Sequence, residues 1–394
     1  MSKLINLKPF KEFLASGQIG GILLLCCIII SLLIANSNWG AGFESFLNFE
    51  WGYQSNLVQL RYSNLLWIND GLMTIFFLLV GLEIKRELIE GELSTFKKAA
   101  MPVFAAVGGM LFPAFLFFCF NFDQPSSAGW GIPMATDIAF ALAVISLLGK
   151  RVPASLKIFL AALAIVDDLG AILVIAVFYT KNIHLDYLAY AGMVFLFLMI
   201  LNYSGVKKLI FYVLPGILLW YLVHHSGIHA TIAGVFLAFT IPTNPVKETS
   251  PLEKLEHLLL KPVNFLIMPL FALANTNISL NDGLLENLSS PLSLGIMAGL
   301  LIGKPLGVFL FSWISVKLDW CTLPSQSNWK HLFGLGILAG IGFTMSIFIA
   351  LLSFDKPAFQ TEAKFAVLVA SLMAGLIGYQ FLKVINKKNK GLNL

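Results

Sequence analysis

Two aspartates, Asp167 and Asp168, stand side by side in Ala-Ile-Val-Asp-Asp-Leu-Gly-Ala at 164–171, within an otherwise uncharged stretch between Lys157 and Lys181. Neighbouring helix positions point about 100° apart, so both carboxylates can face one polar cavity. Ala161, Ala164 and Ala171 admit close approach of a partner. In apolar surroundings, burial and mutual repulsion both disfavour the doubly ionised state. Such a pair holds protons, or releases them and binds a hard cation through oxygen, and it cannot do both at once. That exclusion is enough to couple two ion flows. One Asp facing one Lys would read equally well as a packing salt bridge, but two adjacent Asp with one available Lys leave a charge unpaired.

Only two other charges fall as deep in apolar sequence, Asp137 and Lys304, while Asp70, Glu83 and His229 lie nearer segment ends. An ionisable side chain at mid-membrane depth costs ~3 kcal/mol or more on insertion scales, which marks each as a functional candidate. Asp137 ends the run Trp-Gly-Ile-Pro-Met-Ala-Thr-Asp, in which Gly131 and Pro133 interrupt a helix. Thr136 and Asp137 are suited to capping the N-terminus that such a break exposes. A comparable break falls at Gly336, Gly340, Gly342 and Thr344. Paired interrupted spans in the two halves of a chain point to a transporter's binding site. Half-helix ends carry partial charges, positive at the N-terminus and negative at the C-terminus. Asp137 is placed to offset the first and Lys304 the second. Lys304 lies on a face bared by Gly295, Gly299, Gly303 and Gly307, which lets it approach a neighbouring helix. Its natural partner is Asp167 or Asp168.

The elements that must hold these residues follow from composition. Of the 394 residues, 58% are hydrophobic and 12% charged, outside the range of soluble domains. Apolar stretches fall at 19–35, 64–82, 99–120, 129–148, 155–179, 187–201, 209–223, 227–241, 258–274, 292–316, 332–354 and 365–384. Each approaches the ~20 residues that cross a bilayer, so the sequence predicts a single all-α integral membrane domain of about 12 transmembrane helices over 1–394. The fourth and eleventh spans are the discontinuous ones. The seventh and eighth are short and separated only by His224, His225 and Ser226.

Loop charge supports this alternation. One set of loops with both termini carries 21 Lys and Arg, including Lys3, Lys8, Lys11, Lys150, Lys247, Lys387, Lys388 and Lys390. The other set carries only Arg61, Lys181, Lys356 and Lys364, and Lys304 is left over. The positive-inside rule then places both termini in the cytoplasm. The net charge of +5 is accounted for in this way and calls for no nucleic-acid partner. The N-terminal run is longer than a signal-peptide core and lacks an A-x-A site, so it reads as a retained first helix. The four cysteines have no metal-ligand spacing and read as apolar fillers.

At this point the motifs resemble those of the NhaA-type sodium/proton antiporters. The matching segments are 81–88 (Gly-Leu-Glu-Ile-Lys-Arg-Glu-Leu), 135–142 (Ala-Thr-Asp-Ile-Ala-Phe-Ala-Leu) and 164–171. Further matches are 229–235 (His-Ala-Thr-Ile-Ala-Gly-Val), 303–307 (Gly-Lys-Pro-Leu-Gly) and 340–350 (Gly-Ile-Gly-Phe-Thr-Met-Ser-Ile-Phe-Ile-Ala). The resemblance runs in order through nearly the whole chain. It implies an architecture of inverted repeats. It implies exchange of Na⁺ or Li⁺ for H⁺, in a multi-pass protein of the bacterial inner membrane with no cofactor and no enzymatic activity. By the same resemblance, Asp168 is the principal cation and proton carboxylate and Asp167 its essential neighbour and the partner of Lys304. Asp137 and Thr136 lie where the broken helices cross, with the breaks at Pro133, Gly340 and Gly342. A pH-sensing set maps onto Glu83, Lys85, Arg86, Glu87, Glu256 and His257, with His229 as a further histidine linked to pH response. Taken as residues alone, Glu83–Glu87 is a charged helix end and Glu256-His257 a solvated loop face. Leu260 departs from the pattern, which often has a second histidine there, and one titratable imidazole fewer implies a shifted or shallower pH profile. The loop 39–63, with Phe49, Trp51 and Tyr53 at strand period, looks like the family's dimer-forming hairpin and implies a homodimer. Interfacial aromatics beside membrane lipid would look the same.

Other functions that use buried carboxylates fit less well. An intramembrane aspartyl protease needs Tyr-Asp and Gly-x-Gly-Asp contexts, which are missing from the sequence. A prenyltransferase needs further acidic residues after Asp-Asp, and a lysine beside the carboxylates argues against a cation channel. A proton-coupled transporter of another monovalent cation or small substrate is the remaining alternative, and the scarcity of polar residues in the core favours a small bare ion.

Overall fold

Backbone in a bilayer has no water to bond, so its N–H and C=O groups must be satisfied within the chain, and helices do this segment by segment. The structure, a computed structural model, describes residues 8–55, 59–180, 183–243, 250–280 and 285–391, without side chains for 8–18, 150 and 387–391. Of the loop cations above, Lys3, Lys181 and Lys247 lie outside the described residues. So do the side chains of Lys8, Lys11, Lys150, Lys387, Lys388 and Lys390.

Helix α1 (Lys8–Ala35) is followed by α2 (Gly40–Asn48), turned by 111° against it, and by strands β1 (Glu50–Trp51) and β2 (Tyr62–Ser63). Then come α3 (Asn64–Ile89), α4 (Phe96–Asn121), the 3-10 helix Ser127–Met134, α5 (Ile138–Leu147) and α6 (Ala154–Phe178). The chain continues through α7 (Leu185–Tyr203), α8 (Ile210–His225), α9 (Ile232–Thr240), α10 (Pro251–Asn275) and α11 (Pro291–Lys317). It closes with α12 (Trp329–Ala339), α13 (Phe343–Ser353) and α14 (Pro357–Gly391). Seven of the described helices are long and apolar enough to cross a membrane, or up to ten crossings if each bent pair counts as one. The chain is thus an all-α membrane protein with one small hairpin. Segments 209–223 and 227–241 form helices of 16 and 9 residues. The second starts late because 227–231 is spent on a turn that carries His229.

Helix α6, which holds the aspartate pair, is the most enclosed. Of its apolar window 72% is buried, against 11% for α7. Helices α4, α3, α5 and α12 pack around it, and α4 also packs along α11. Three helices contain a wider turn, at Trp67–Leu72 in α3, Val263–Ile267 in α10 and Gly299–Gly303 in α11. The last ends immediately before Lys304. Such turns recur at functional sites because they redirect side chains without ending the helix. In the 39–63 segment the hairpin pairs Glu50 with Ser63 and Trp51 with Tyr62 in antiparallel register. It lies against its own chain through Trp51 stacked on Trp67 with ring centroids 5.5 Å apart. The strands have two residues each, shorter than the aromatic alternation implies, because α2 extends to Asn48.

Glycine sets how closely α11 approaches α4. A Cβ at Gly307 would collide with the Gly108 carbonyl and reach 2.9 Å from Phe112 Cβ, and one at Gly108 would collide with the Gly307 carbonyl. Backbone touches backbone here, so α11 carries Lys304 deep into the bundle. We expect Gly307→Val to force these helices apart at a cost of about 1–3 kcal/mol or more. The check is thermal unfolding of the purified protein in detergent: a lowered midpoint is expected, and an unchanged one would mean that the contact does not govern packing.

Candidate functional site

The breaks in two of the three bent pairs meet. The 3-10 helix Ser127–Met134 and α5 are bent by 40° around extended residues 135–137, and α12 and α13 by 47° around 340–342. The Asp137 N–H donates to the Ile341 carbonyl at 2.7 Å, so one break satisfies the other. Asp137 then serves two helix starts. Its Oδ1 accepts from Phe140 N–H at 2.9 Å in α5. Its Oδ2 accepts from the N–H and hydroxyl of Thr344 at 3.2 and 2.5 Å in α13. A carboxylate at helix N-termini is favoured both by hydrogen bonding and by the helix dipole.

The helix ends facing the other way are met by donors. Lys304 Nζ donates to the Met134 carbonyl, the last residue of the 3-10 helix. The Ser346 hydroxyl donates to the Ile132 carbonyl at 2.7 Å in the same element. Thr136 Oγ1 lies 2.9 Å from the carbonyl of Ala339, which ends α12. Freed carbonyls this far from water need such partners, because a buried unsatisfied polar group costs about 1–3 kcal/mol.

Lys304 and Thr136 also reach the aspartate pair. Lys304 Nζ donates to Asp167 Oδ2 at 2.7 Å, and Thr136 Oγ1 lies 2.8 Å from the same oxygen. The threonine has one proton and two acceptors, so it donates to Asp167 or to Ala339 but not to both. Lys304, Asp137, Asp167 and Asp168 are each at most 1% exposed. Asp167 is thus paired with the Lys304 ammonium and in contact with the Thr136 hydroxyl. Asp168, one residue on, makes no hydrogen bond among the described residues, and its Oδ1 is buried without a partner, as is Asp167 Oδ1. Two hard carboxylate oxygens with a hydroxyl nearby form a donor set for a small, hard cation or a proton.

The residues assigned to pH sensing divide into two places. Arg86 joins Glu256 (Nε–Oε2, 3.0 Å) and Glu87 (Nη1–Oε1, 3.1 Å) at one end of α3. Glu83, one turn further in, is 7% exposed and within electrostatic reach of both Glu256 and Asp168. Lys85 does not join the ion pairs: its Nζ donates to the carbonyls of Phe239 and Ile241 at 2.8 and 2.6 Å, where α9 ends. His257 is exposed beside Glu256. His229 lies elsewhere, beside Asp70 at the other end of α3, about 20 Å along the helix from Glu83 by helical rise.

Several of these partners carry little or no signal in the sequence. Asp70 faces both His224 (Oδ2–Nδ1, 3.3 Å) and His229 (Oδ1–Nε2, 3.8 Å), across three elements that no local pattern connects. Ser346 is an ordinary small residue in an apolar run, and the carbonyls of Met134 and Ala339 have no side-chain signature at all.

Comparison with known proteins adds a family. The profile of the family described as Na⁺/H⁺ antiporter 1 matches residues 11–382. A Flavobacterium johnsoniae protein named Na⁺/H⁺ antiporter NhaA 2 is 60% identical over 391 residues, covering 99% of this chain and 96% of that protein. The Na⁺/H⁺ antiporter NhaA of Flavobacterium psychrophilum is 53% identical over 380 residues, with 96% of each chain covered. That of Citrobacter koseri is 47% identical over 381 residues, 96% of this chain and 98% of its own.

The lysine–aspartate pair generates a stability prediction. Removing one partner of a buried ion pair costs about 3–5 kcal/mol, whereas removing both is often close to neutral. Lys304→Met should therefore lower the melting temperature in detergent by roughly 5 °C or more. The double variant Asp167→Asn/Lys304→Met should recover most of that loss. A single variant as stable as the parent would show that the pair does not hold these helices together.

Proposed function

This chain belongs to the Na⁺/H⁺ antiporter 1 family, and on that premise we propose that it exchanges Na⁺ or Li⁺ for protons across the bacterial inner membrane, with Asp167 and Asp168 as the carboxylates that take cation or proton in turn. It is a membrane transporter and not an enzyme. The observation that carries the reading is the asymmetry of the pair: Asp167 is tied to Lys304 and Thr136, while Asp168 is equally buried and makes no hydrogen bond among the described residues. A carboxylate in that position is neutral when protonated, and when it gives up the proton it needs a cation in its place. Proton and sodium therefore compete for the same oxygens, and each excursion of the site to one side of the membrane carries one or the other.

In this reading the bent pairs are the fourth and eleventh of twelve spans, related by inverted repeats, and their crossing lets the site open to either side by small movements of half-helices. Thr136 supplies a further oxygen to the cation, and Lys304 holds Asp167 when the cation has left. Asp137 keeps the crossing intact by offsetting two helix N-termini. The Glu87–Arg86–Glu256 cluster, with Glu83 between it and Asp168, gives cytoplasmic pH a route to the site through charge. His229 would report from the far end of the same helix. The exposed hairpin of 39–63 is the surface through which two copies associate, with lipid around the remainder.

The test is transport in everted membrane vesicles. With an imposed pH gradient, addition of Na⁺ or Li⁺ should dissipate the gradient, less at acidic pH where protons compete better. Asp168→Asn should abolish the response. Full activity in that variant would contradict the site, and a response to K⁺ as large as that to Na⁺ would instead favour a transporter of other monovalent cations.

A further inference from the structure

Helix α13 begins inside the bundle, on Gly342 at the crossing, so its first N–H groups have neither a preceding turn nor water to bond with. The Ser346 N–H reaches back to the Gly342 carbonyl at 2.9 Å. The Thr344 N–H goes to Asp137 Oδ2. The Phe343 N–H donates to Ser371 Oγ at 3.0 Å, a hydroxyl from the middle of α14. Ser371 is 4% exposed and flanked along its helix by the buried Val367, Ala370 and Ala374. A lone hydroxyl on such a face is out of place unless it has a partner, and the helix start is that partner. Neither the sequence motifs nor the transport reading uses this residue.

Its effect follows from how Asp137 is shared. One oxygen of that carboxylate serves α5 and the other serves α13. If Phe343 N–H also needed an acceptor, Asp137 is the acceptor already in contact with that turn, and drawing it there would weaken its hold on Phe140. Ser346, from the same turn, is fixed to the Ile132 carbonyl. The first turn of α13 is thus held from α14, from the break before α5 and from the 3-10 helix. We propose that Ser371 is a positioning residue for ion exchange: by taking the Phe343 N–H it leaves Asp137 divided between the two half-helices, and so keeps the crossing beside Asp167 in the register that binds the cation. This inference rests on the transport reading.

The test compares Ser371→Ala, Ser371→Thr and Ser371→Val in proteoliposomes, measuring Na⁺-driven proton movement against Na⁺ concentration. Thr and Val have the same shape and differ in the acceptor oxygen, so any crowding by the added methyl cancels between them. Loss of one hydrogen bond sets the scale at roughly fivefold. Ser371→Ala and Ser371→Val should raise the apparent KM for Na⁺ by about that factor relative to the parent and to Ser371→Thr respectively, with the maximal rate per folded protein nearly unchanged. A merely structural serine would lower the amount of active protein and leave KM alone. An unchanged KM in Ser371→Ala, or Thr and Val variants that behave alike, including both failing to assemble, would overturn the inference. Should only Ser371→Ala fail to assemble, the Thr/Val pair decides. The parent in the same preparation separates the two levels: a parent without Na⁺-dependent proton movement contradicts the transport reading itself, whereas an active parent with an insensitive Ser371 contradicts only this inference.

Discussion

Interrupting a helix inside an apolar bundle frees backbone N–H and C=O groups where no water can reach them, and each must find a partner in the chain. The arrangement around the crossing is largely an answer to that requirement. Asp137 takes N–H groups from α5 and α13, and Ser371 takes one more from α13. Lys304, Thr136 and Ser346 serve the carbonyls of Met134, Ala339 and Ile132. Two of these partners, Lys304 and Thr136, are also the groups that touch Asp167. Satisfaction of the backbone and occupancy of the carboxylates therefore draw on the same side chains.

The glycines explain how a lysine comes to be there at all. A fully buried ammonium is expensive unless it is both paired and hydrogen-bonded. Lys304 meets both conditions because Gly108 and Gly307 bring α4 and α11 into backbone contact, and because the wide turn at Gly299–Gly303 precedes it. Asp168, the next residue along the helix, has no such partner among the described residues. The two carboxylates thus differ in their partners, Asp167 being held by Lys304 and in contact with Thr136.

Much of this was legible in the sequence, and for a physical reason: charge is so costly in apolar sequence that Asp137, Asp167, Asp168 and Lys304 stood out without any structure. Periodicity of apolar segments gave the membrane class; Gly340 and Gly342 fall between α12 and α13, whereas Gly131 and Pro133, expected at the other break, lie inside the 3-10 helix, which ends one residue after Pro133, before the extended residues 135–137. Taken alone, the residues left open whether Lys304 would meet Asp167 or Asp168, since residues one position apart differ only by a rotation about the helix; the family resemblance pointed to Asp167, the partner found. Partners contributed by backbone carbonyls, and by serines such as Ser346 and Ser371, were invisible because they carry no charge and break no pattern. Of the six residues grouped as a pH-sensing set by resemblance, Arg86, Glu87 and Glu256 are joined by ion pairs, and His229, given as a further histidine, lies apart from them. Lys85 is used to close α9, and His229 lies with Asp70 and His224 at the opposite end of α3.

The central claim is that proton and sodium compete for the carboxylates Asp167 and Asp168. Its most direct test is proton release on cation binding, followed with a pH-indicator dye while weakly buffered, detergent-purified protein is titrated with NaCl. The account predicts release of protons at mildly alkaline pH that saturates with Na⁺ and is missing in Asp168→Asn. Saturable Na⁺ binding without any proton release would contradict it.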